Sequence, residues 1–188
     1  MTRFNIRNGI IILLLSVMVV SCNKKKIIES ETKGYLTINY QISDYDLLTV
    51  IWLEDLQNNY VKTLLVSEWL SYDGHRYPDI CPDWSSVADW ENVSKTVFDE
   101  VTTATPQIDT HKIVVDCEQI NLPDGEYHYL VETHIENEFN ILYSGQIEIG
   151  DKPDSDTAEV TYIPGAHQDS TKLNLLSDVS AEYKLRNR

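Results

Sequence analysis

Thirty carboxylates, five histidines and three cysteines supply the groups in this chain that could carry chemistry. Glu54 adjoins Asp55, and Glu132 lies four residues before Glu136. Such pairs serve general acid–base catalysis when they share a buried site, but so acidic a chain produces them freely, and solvated faces account for most. Asp151, Asp154 and Asp156 crowd one segment, where a hard cation such as calcium would find carboxylate oxygens. The segment lacks the glycine and the closing glutamate of an EF-hand, so it reads as a solvated loop. His128 and His134, six residues apart, fall on one face of an unbroken strand. They lie too far along it to grip one metal, and with His111 they read as satisfied core or surface histidines. There is no G-x-S-x-G elbow, no H-E-x-x-H pair, no P-loop and no Rossmann glycine pattern. A binding or accessory role is therefore expected ahead of an enzyme, and no catalytic or metal-ligating residue is assigned.

The charge distribution narrows the partners. The formal net charge of the 188 residues is −15, yet five of the fifteen basic residues (Arg3, Arg7, Lys24, Lys25 and Lys26) precede residue 27. From there onward ten basic residues stand against all thirty acidic ones, a balance of −20. Such a body repels phosphate backbones, which excludes a nucleic-acid partner. With 42% apolar residues and no long biased tract, the chain is a globular domain with a core and not a disordered acidic tail.

Residues 1–21 read as a targeting segment. Arg3 and Arg7 form a positive start, and residues 10–20 are a nearly continuous apolar run, long enough for a signal peptide and short for a membrane span. Val19-Val20-Ser21-Cys22 resembles the bacterial lipobox. That resemblance implies cleavage before Cys22, a diacylglycerol on its sulfur and an acyl chain on its new amine, which together make an anchor in membrane lipid. Residues 22–33, with Lys24, Lys25 and Lys26 close behind Cys22, read as a tether beside anionic headgroups. A basic stretch here, where surface-exported lipoproteins carry an acidic one, implies a periplasm-facing envelope protein. Removing Cys22 from the count leaves Cys81 and Cys117 as an even pair in an oxidising space. A bridge between them would close a loop of about 35 residues and stabilise by about 3–4 kcal/mol. The rival arrangement is a metal site with His75 or His111, which no C-x-x-C or close His pair supports.

The body is organised by period-two alternation. Leu36, Ile38, Tyr40 and Ile42 alternate with polar residues in a half-buried strand. Residues 47–53 form a near-continuous apolar run, as expected of an inner strand, and Gln57-Asn58-Asn59 turns it back into residues 60–66. Further strands are expected at 113–115, 127–133, 141–149 and 157–163, with turns at Pro123-Asp124-Gly125 and at 137–140. Seven strands and few helical stretches predict an all-β fold, an antiparallel immunoglobulin-like sandwich over residues 34–165. Residues 166–188 form a tail in which Leu173, Leu175 and Leu176 suggest one docked strand. Residues 67–94 interrupt the pattern with Trp69, Tyr72, Tyr77, Trp84 and Trp90. A short helix is expected there from about 80 to 91, with Pro82 in its first turn. Such an aromatic insertion is either a cap over the core or a surface that binds a ligand or protein.

Asp99-Glu100-Val101-Thr102-Thr103-Ala104-Thr105 resembles the flavinylation motif D-x-x-[S/T]-G-A-T. In proteins with that motif, a magnesium-dependent flavin transferase esterifies FMN to the last threonine. The resemblance implies covalent FMN on Thr105, with Asp99 and Thr102 as recognition residues. Thr103 stands where the motif has glycine, which tolerates a positive φ that a β-branched residue resists. The alternative is an ordinary loop in which Asp99 bonds nearby backbone amides. Val50-Ile51-Trp52-Leu53-Glu54-Asp55, the 99–105 segment and Pro123-Asp124-Gly125-Glu126-Tyr127 with Val131-Glu132 also occur in the order found in the bacterial periplasmic family called domain of unknown function 2271. The resemblance covers roughly residues 34–164. It implies a signal-bearing β-sandwich whose genes neighbour PepSY membrane proteins and flavin transferases. A flavin transferase or a membrane redox partner is the implied associate.

Overall fold

Hydrophobic alternation builds two sheets in a computed structural model that describes residues 33–44, 47–135, 139–163 and 172–186. The signal segment and Cys22 lie outside the described residues. In chain order the strands are β1 (Tyr35–Ile42), β2 (Leu48–Asp55), β3 (Tyr60–Ser67), the two-residue β4 (Thr102–Thr103), β5 (Asp109–Asp116), β6 (Gly125–Ile135), β7 (Phe139–Ile149), β8 (Asp154–Thr157), β9 (Glu159–Ile163) and β10 (Leu176–Lys184). One sheet has the order β5-β1-β10-β8, the other β4-β3-β2-β6-β7-β9. All pairings are antiparallel except β3 with β4. The fold is an all-β sandwich.

Alternate residues of the central strands go to different cores. Ile51, Leu53, Tyr129 and Val131 join Leu36, Ile38 and Tyr183 in the cluster between the sheets. Val50, Trp52, Val66 and Leu130 face the other way, into a second cluster with Trp84 and Trp90. β2 is thus covered on both faces, which is why its sequence is apolar without alternation. Its place between β3 and β6 is that of an inner strand. β10 is an inner strand too, registered against β1 on one side and β8 on the other.

The single strand expected at 157–163 is two. β8 pairs with β10 in one sheet and β9 with β7 in the other, and Ala158, whose N–H donates to the Val179 carbonyl, makes the crossing. The 67–94 insertion also holds more than one helix. α1 (Glu68–Tyr72) follows β3 directly, α2 (Pro82–Val87) sits mid-insertion, and α3 (Lys95–Val101) leads out of it. α2 is shorter than the helix expected at 80–91. Asp89 takes φ 41°, which breaks the run before a 3-10 turn at Trp90–Asn92.

The insertion is a cap. Trp84 is fully buried and its indole N–H donates to Thr63 Oγ1 at 2.9 Å. Trp90 is 4% exposed and donates to the Ser71 carbonyl at 2.9 Å. The two indoles tilt against each other with ring centroids 5.1 Å apart. Trp69 differs: it is 44% exposed and stacks on the exposed Tyr77. Two of the insertion's three tryptophans therefore serve the core.

The expected Cys81–Cys117 bridge is not formed. Both thiols are free and buried. Cys81 belongs to the cap cluster and Cys117 to the cluster between the sheets, so the six-stranded sheet separates them. Burial raises the pKa of both thiols, and a thiol held protonated is a poor nucleophile.

Two outcomes follow from this packing. Trp84→Ala empties a fully buried site and leaves Thr63 Oγ1 without its donor, so denaturant unfolding will show a loss of about 3–5 kcal/mol. Alkylation of the mature folded chain will label neither thiol at neutral pH, whereas denaturation without reductant will expose both; one blocked pair after denaturation would indicate a bridge.

Candidate functional site

The segment from Asp99 to Thr105 is not one loop. It passes from helix to edge strand to an irregular connection, and each part fixes its residues differently. Ser94 caps α3, its hydroxyl accepting the Val97 N–H at 3.3 Å. Phe98 and Val101, three apart, turn toward the cap cluster, while Lys95 and Asp99, four apart, lie on the outer face. The Lys95 ammonium donates to both Asp99 oxygens, at 2.8 and 3.0 Å. The expected bonds from backbone amides to Asp99 are replaced by this exposed pair, whose hydrogen bond raises the Lys95 pKa.

Thr102 and Thr103 then form β4, in parallel register with Val66 and Ser67 of β3. Thr102 Oγ1 is buried and has no hydrogen-bond partner among the described residues. Thr103 is in extended backbone and is absent from the positive-φ residues, so this position does not need the motif's glycine. Ala104 is exposed, Thr105 is half-buried and Pro106 is buried. The connection continues to Asp109, where β5 opens in the opposite sheet.

This crossing leaves a cleft at the edge of the sandwich, of about 440 Å³, bordered by Thr103, Thr105 and Ile108 and floored by Tyr40, Leu65 and His111. Tyr40 and His111 are cross-strand partners of β1 and β5. Their rings stack with centroids 5.0 Å apart and planes 21° from parallel. His111 Nε2 lies 2.6 Å from the Gln107 carbonyl, so it carries the proton and the ring orientation is fixed. Burial pushes the Tyr40 phenol up to about 12. Asp109 and Lys112, both exposed, also line the cleft, so its charges are of both signs. Of the three motif residues, the cleft takes Thr105 only; Asp99 faces Lys95 and Thr102 faces inward.

The carboxylates also divide. Glu132, expected on a solvated face, is fully buried. It lies on the outer face of β6 with Leu130, beneath α2. Cys81, the N-cap of α2, makes no side-chain cap; Glu132 does that work from another strand, accepting the Trp84 N–H at 3.1 Å and the Asp83 N–H at 3.4 Å. Burial raises its pKa to about 8, with Asp83 adding to the rise. Asn140 of β7 pins the same segment: its Oδ1 accepts the Cys81 N–H, its Nδ2 donates to the Asp79 carbonyl, and His134 Nδ1 bonds its Oδ1 at 3.0 Å. Glu54 is also buried and accepts the Trp52 indole N–H. Asp55 beside it organises a turn, where bonds from Asn59 hold its carboxyl below the ordinary range.

Asp154 and Asp156 do not sit in a loop. Within β8, Asp154 accepts the Glu148 N–H, and Asp156 accepts the Gln146 N–H and the Tyr129 hydroxyl. Gly145 allows that approach, since a Cβ there would collide with Asp156 Oδ2 and the Tyr129 hydroxyl. His128, Leu130, Glu132 and His134 share the outer face of β6, but Glu132 and His134 bond different partners.

Sequence reasoning placed Glu132 on a solvated face and overlooked the Tyr40–His111 pair. The β6 alternation itself marked Glu132, which occupies the same face as Leu130. Nothing in the sequence marked Tyr40 and His111 as partners, because they meet only through the β1–β5 register.

A family model described as predicted periplasmic protein (DUF2271) matches residues 42–163, and the chain belongs to that family. No curated protein and no solved structure matches it. Among the described residues no helix is long and apolar enough to cross a membrane.

Glu132 makes stability depend on pH in a definite sense. Its folded pKa lies above its unfolded value, so its full contribution is present below about pH 4.5 and is lost as pH rises toward 8. The loss by pH 8 is about 4–5 kcal/mol. The raised pKa of Asp83, also caused by burial, acts in the same direction. Denaturant unfolding between pH 5 and 8 will show this fall, and Glu132→Gln will flatten most of it.

Proposed function

We propose that this member of the DUF2271 family is a lipid-anchored, periplasm-facing carrier of covalent FMN, an accessory of extracytoplasmic electron transfer. Thr105 is the attachment residue and Cys22 the lipidated one. The observation that carries the reading is the position of Thr105. Its residue is half-buried beside the exposed Ala104, in a connection without regular structure, on the border of an open cleft. The cleft falls within the roughly 300–1,000 Å³ typical of small-molecule sites. Thr103 does not oppose the reading, because the extended backbone of β4 accommodates a β-branched residue.

The chemistry needs little from this chain. Ester formation in water requires FMN delivered as a phosphoric anhydride, whose P–O–P bond breaks as the Thr105 Oγ–P bond forms; the other phosphate ester of the anhydride departs as the leaving group and the hydroxyl proton is released. A flavin transferase supplies the donor, the magnesium and the catalysis. The chain supplies a hydroxyl held by Pro106, which is buried on one side, and by β4 on the other. When bound, the flavin would supply one- and two-electron redox chemistry.

Co-expression with a flavin transferase will raise the intact mass by one FMN less one water and give a fluorescent band in a denaturing gel. Thr105→Ala will show neither. An unchanged mass in the wild-type chain, or an unchanged increment in the variant, would overturn the assignment.

A further inference from the structure

Two open sheets leave four edge strands among the described residues, β5 and β8 in one sheet and β4 and β9 in the other. An edge offers unpaired backbone N–H and C=O groups to any further strand, and short or charged edges blunt that offer. β8 has four residues, two of them aspartates, while β4 has two and β9 has five. β5 is the exception. Its eight residues pair with β1 on one side and, among the described residues, with no strand on the other. The β1–β5 register runs unbroken from Tyr35 opposite Asp116 to Ile42 opposite Asp109, and β5 holds no proline. A strand this long and regular is a template for β-pairing.

The two faces of β5 differ. Ile113 and Val115 pack against the cluster between the sheets, and His111 stacks there on Tyr40. Lys112, Val114 and Asp116 alternate with them on the outer face. Val114 is 56% exposed, an apolar side chain between two charged ones. Lys112 is exposed, and Asp116 is held in place by Arg186 and by the Glu118 and Gln119 amides.

We infer that β5 is the interface of a homodimer, in which it pairs antiparallel with β5 of a second copy about a two-fold axis at Val114. An axis perpendicular to the sheet keeps each face continuous, so the central residue of the register lies opposite itself. A register centred on Lys112 sets two ammonium groups side by side. One centred on His111 or Ile113 puts Lys112 opposite Thr110 or Val114 and pairs no opposite charges directly. The register centred on Val114 covers that valine with its own copy and sets Ile113 against Val115 of the partner subunit, twice. It also sets Lys112 against Asp116 of the partner subunit, twice. Opposite charges and apolar side chains then meet like a cross-strand ladder within one sheet. These charge pairs act at contact, whereas the repulsion between two bodies of −20 is spread over distances that salt screens beyond about 8 Å. The product is one eight-stranded sheet, β8-β10-β1-β5 followed by the same strands in reverse.

Cross-linking in the envelope of the producing bacterium and sedimentation of the purified chain test this together. Full chain carrying Val114→Cys will be joined into a covalent dimer by a short, membrane-permeant bis-maleimide, above the wild-type level. Thr110→Cys shares the outer face but lies four residues from the axis, so its two copies are about 26 Å apart and will not be joined. In sedimentation the wild-type chain will pass from monomer to dimer across the micromolar range. Val114→Lys, a change at an exposed position with folding checked by circular dichroism, will keep it monomeric. Lys112→Glu sets a second carboxylate against Asp116 and will weaken the dimer by about 3–10-fold. A wild-type chain monomeric throughout that range overturns the inference and leaves the edge to a different protein. A dimer indifferent to both substitutions overturns it too, as does Thr110→Cys cross-linking as readily as Val114→Cys.

Discussion

The structure depends on covering both faces of the six-stranded sheet. Val50, Trp52, Val66 and Leu130 put a row of apolar side chains on the face turned away from the sandwich core. Left in water, that face would be an aggregation surface. The insertion between β3 and α3 covers it with Trp84 and Trp90 and so adds a third layer to a two-layer fold. An aromatic lid raises a polar problem, since each indole N–H and each free amide at the start of α2 enters a dry space. Thr63, Ser71, Glu132 and Asn140 answer it one by one.

Glu132 is the costly member of that set. A carboxylate in this position accepts two amides at the positive end of a short helix, yet burial holds it protonated near neutrality. The group is retained where an apolar residue would leave two N–H donors unsatisfied. Cap adhesion thus depends on a single protonation state.

What could be read from sequence follows the range of the interactions. The β2 run and the β6 alternation are local patterns, and both strands form where the patterns lie. The division at Ala158 escapes such reading, because one small residue moves the chain between sheets without a turn signal. Cysteine parity suggested a bridge, but parity carries no information about which face of a sheet each thiol takes. The cleft is further out of reach: Tyr40 and His111 are 71 positions apart, and only the β1–β5 register makes them neighbours.

The departure from the motif at Thr103 has a physical reason of the same kind. The connection to Thr105 is tied at one end to the cap, through Phe98 and Val101, and to β3 through Thr102 and Thr103. At its other end Pro106 is buried and β5 begins in the opposite sheet. A glycine at 103 would release the middle of this span, whereas a β-branched residue in extended backbone holds it to β3. Thr105 then inherits its position from both sheets and from the cap above one of them.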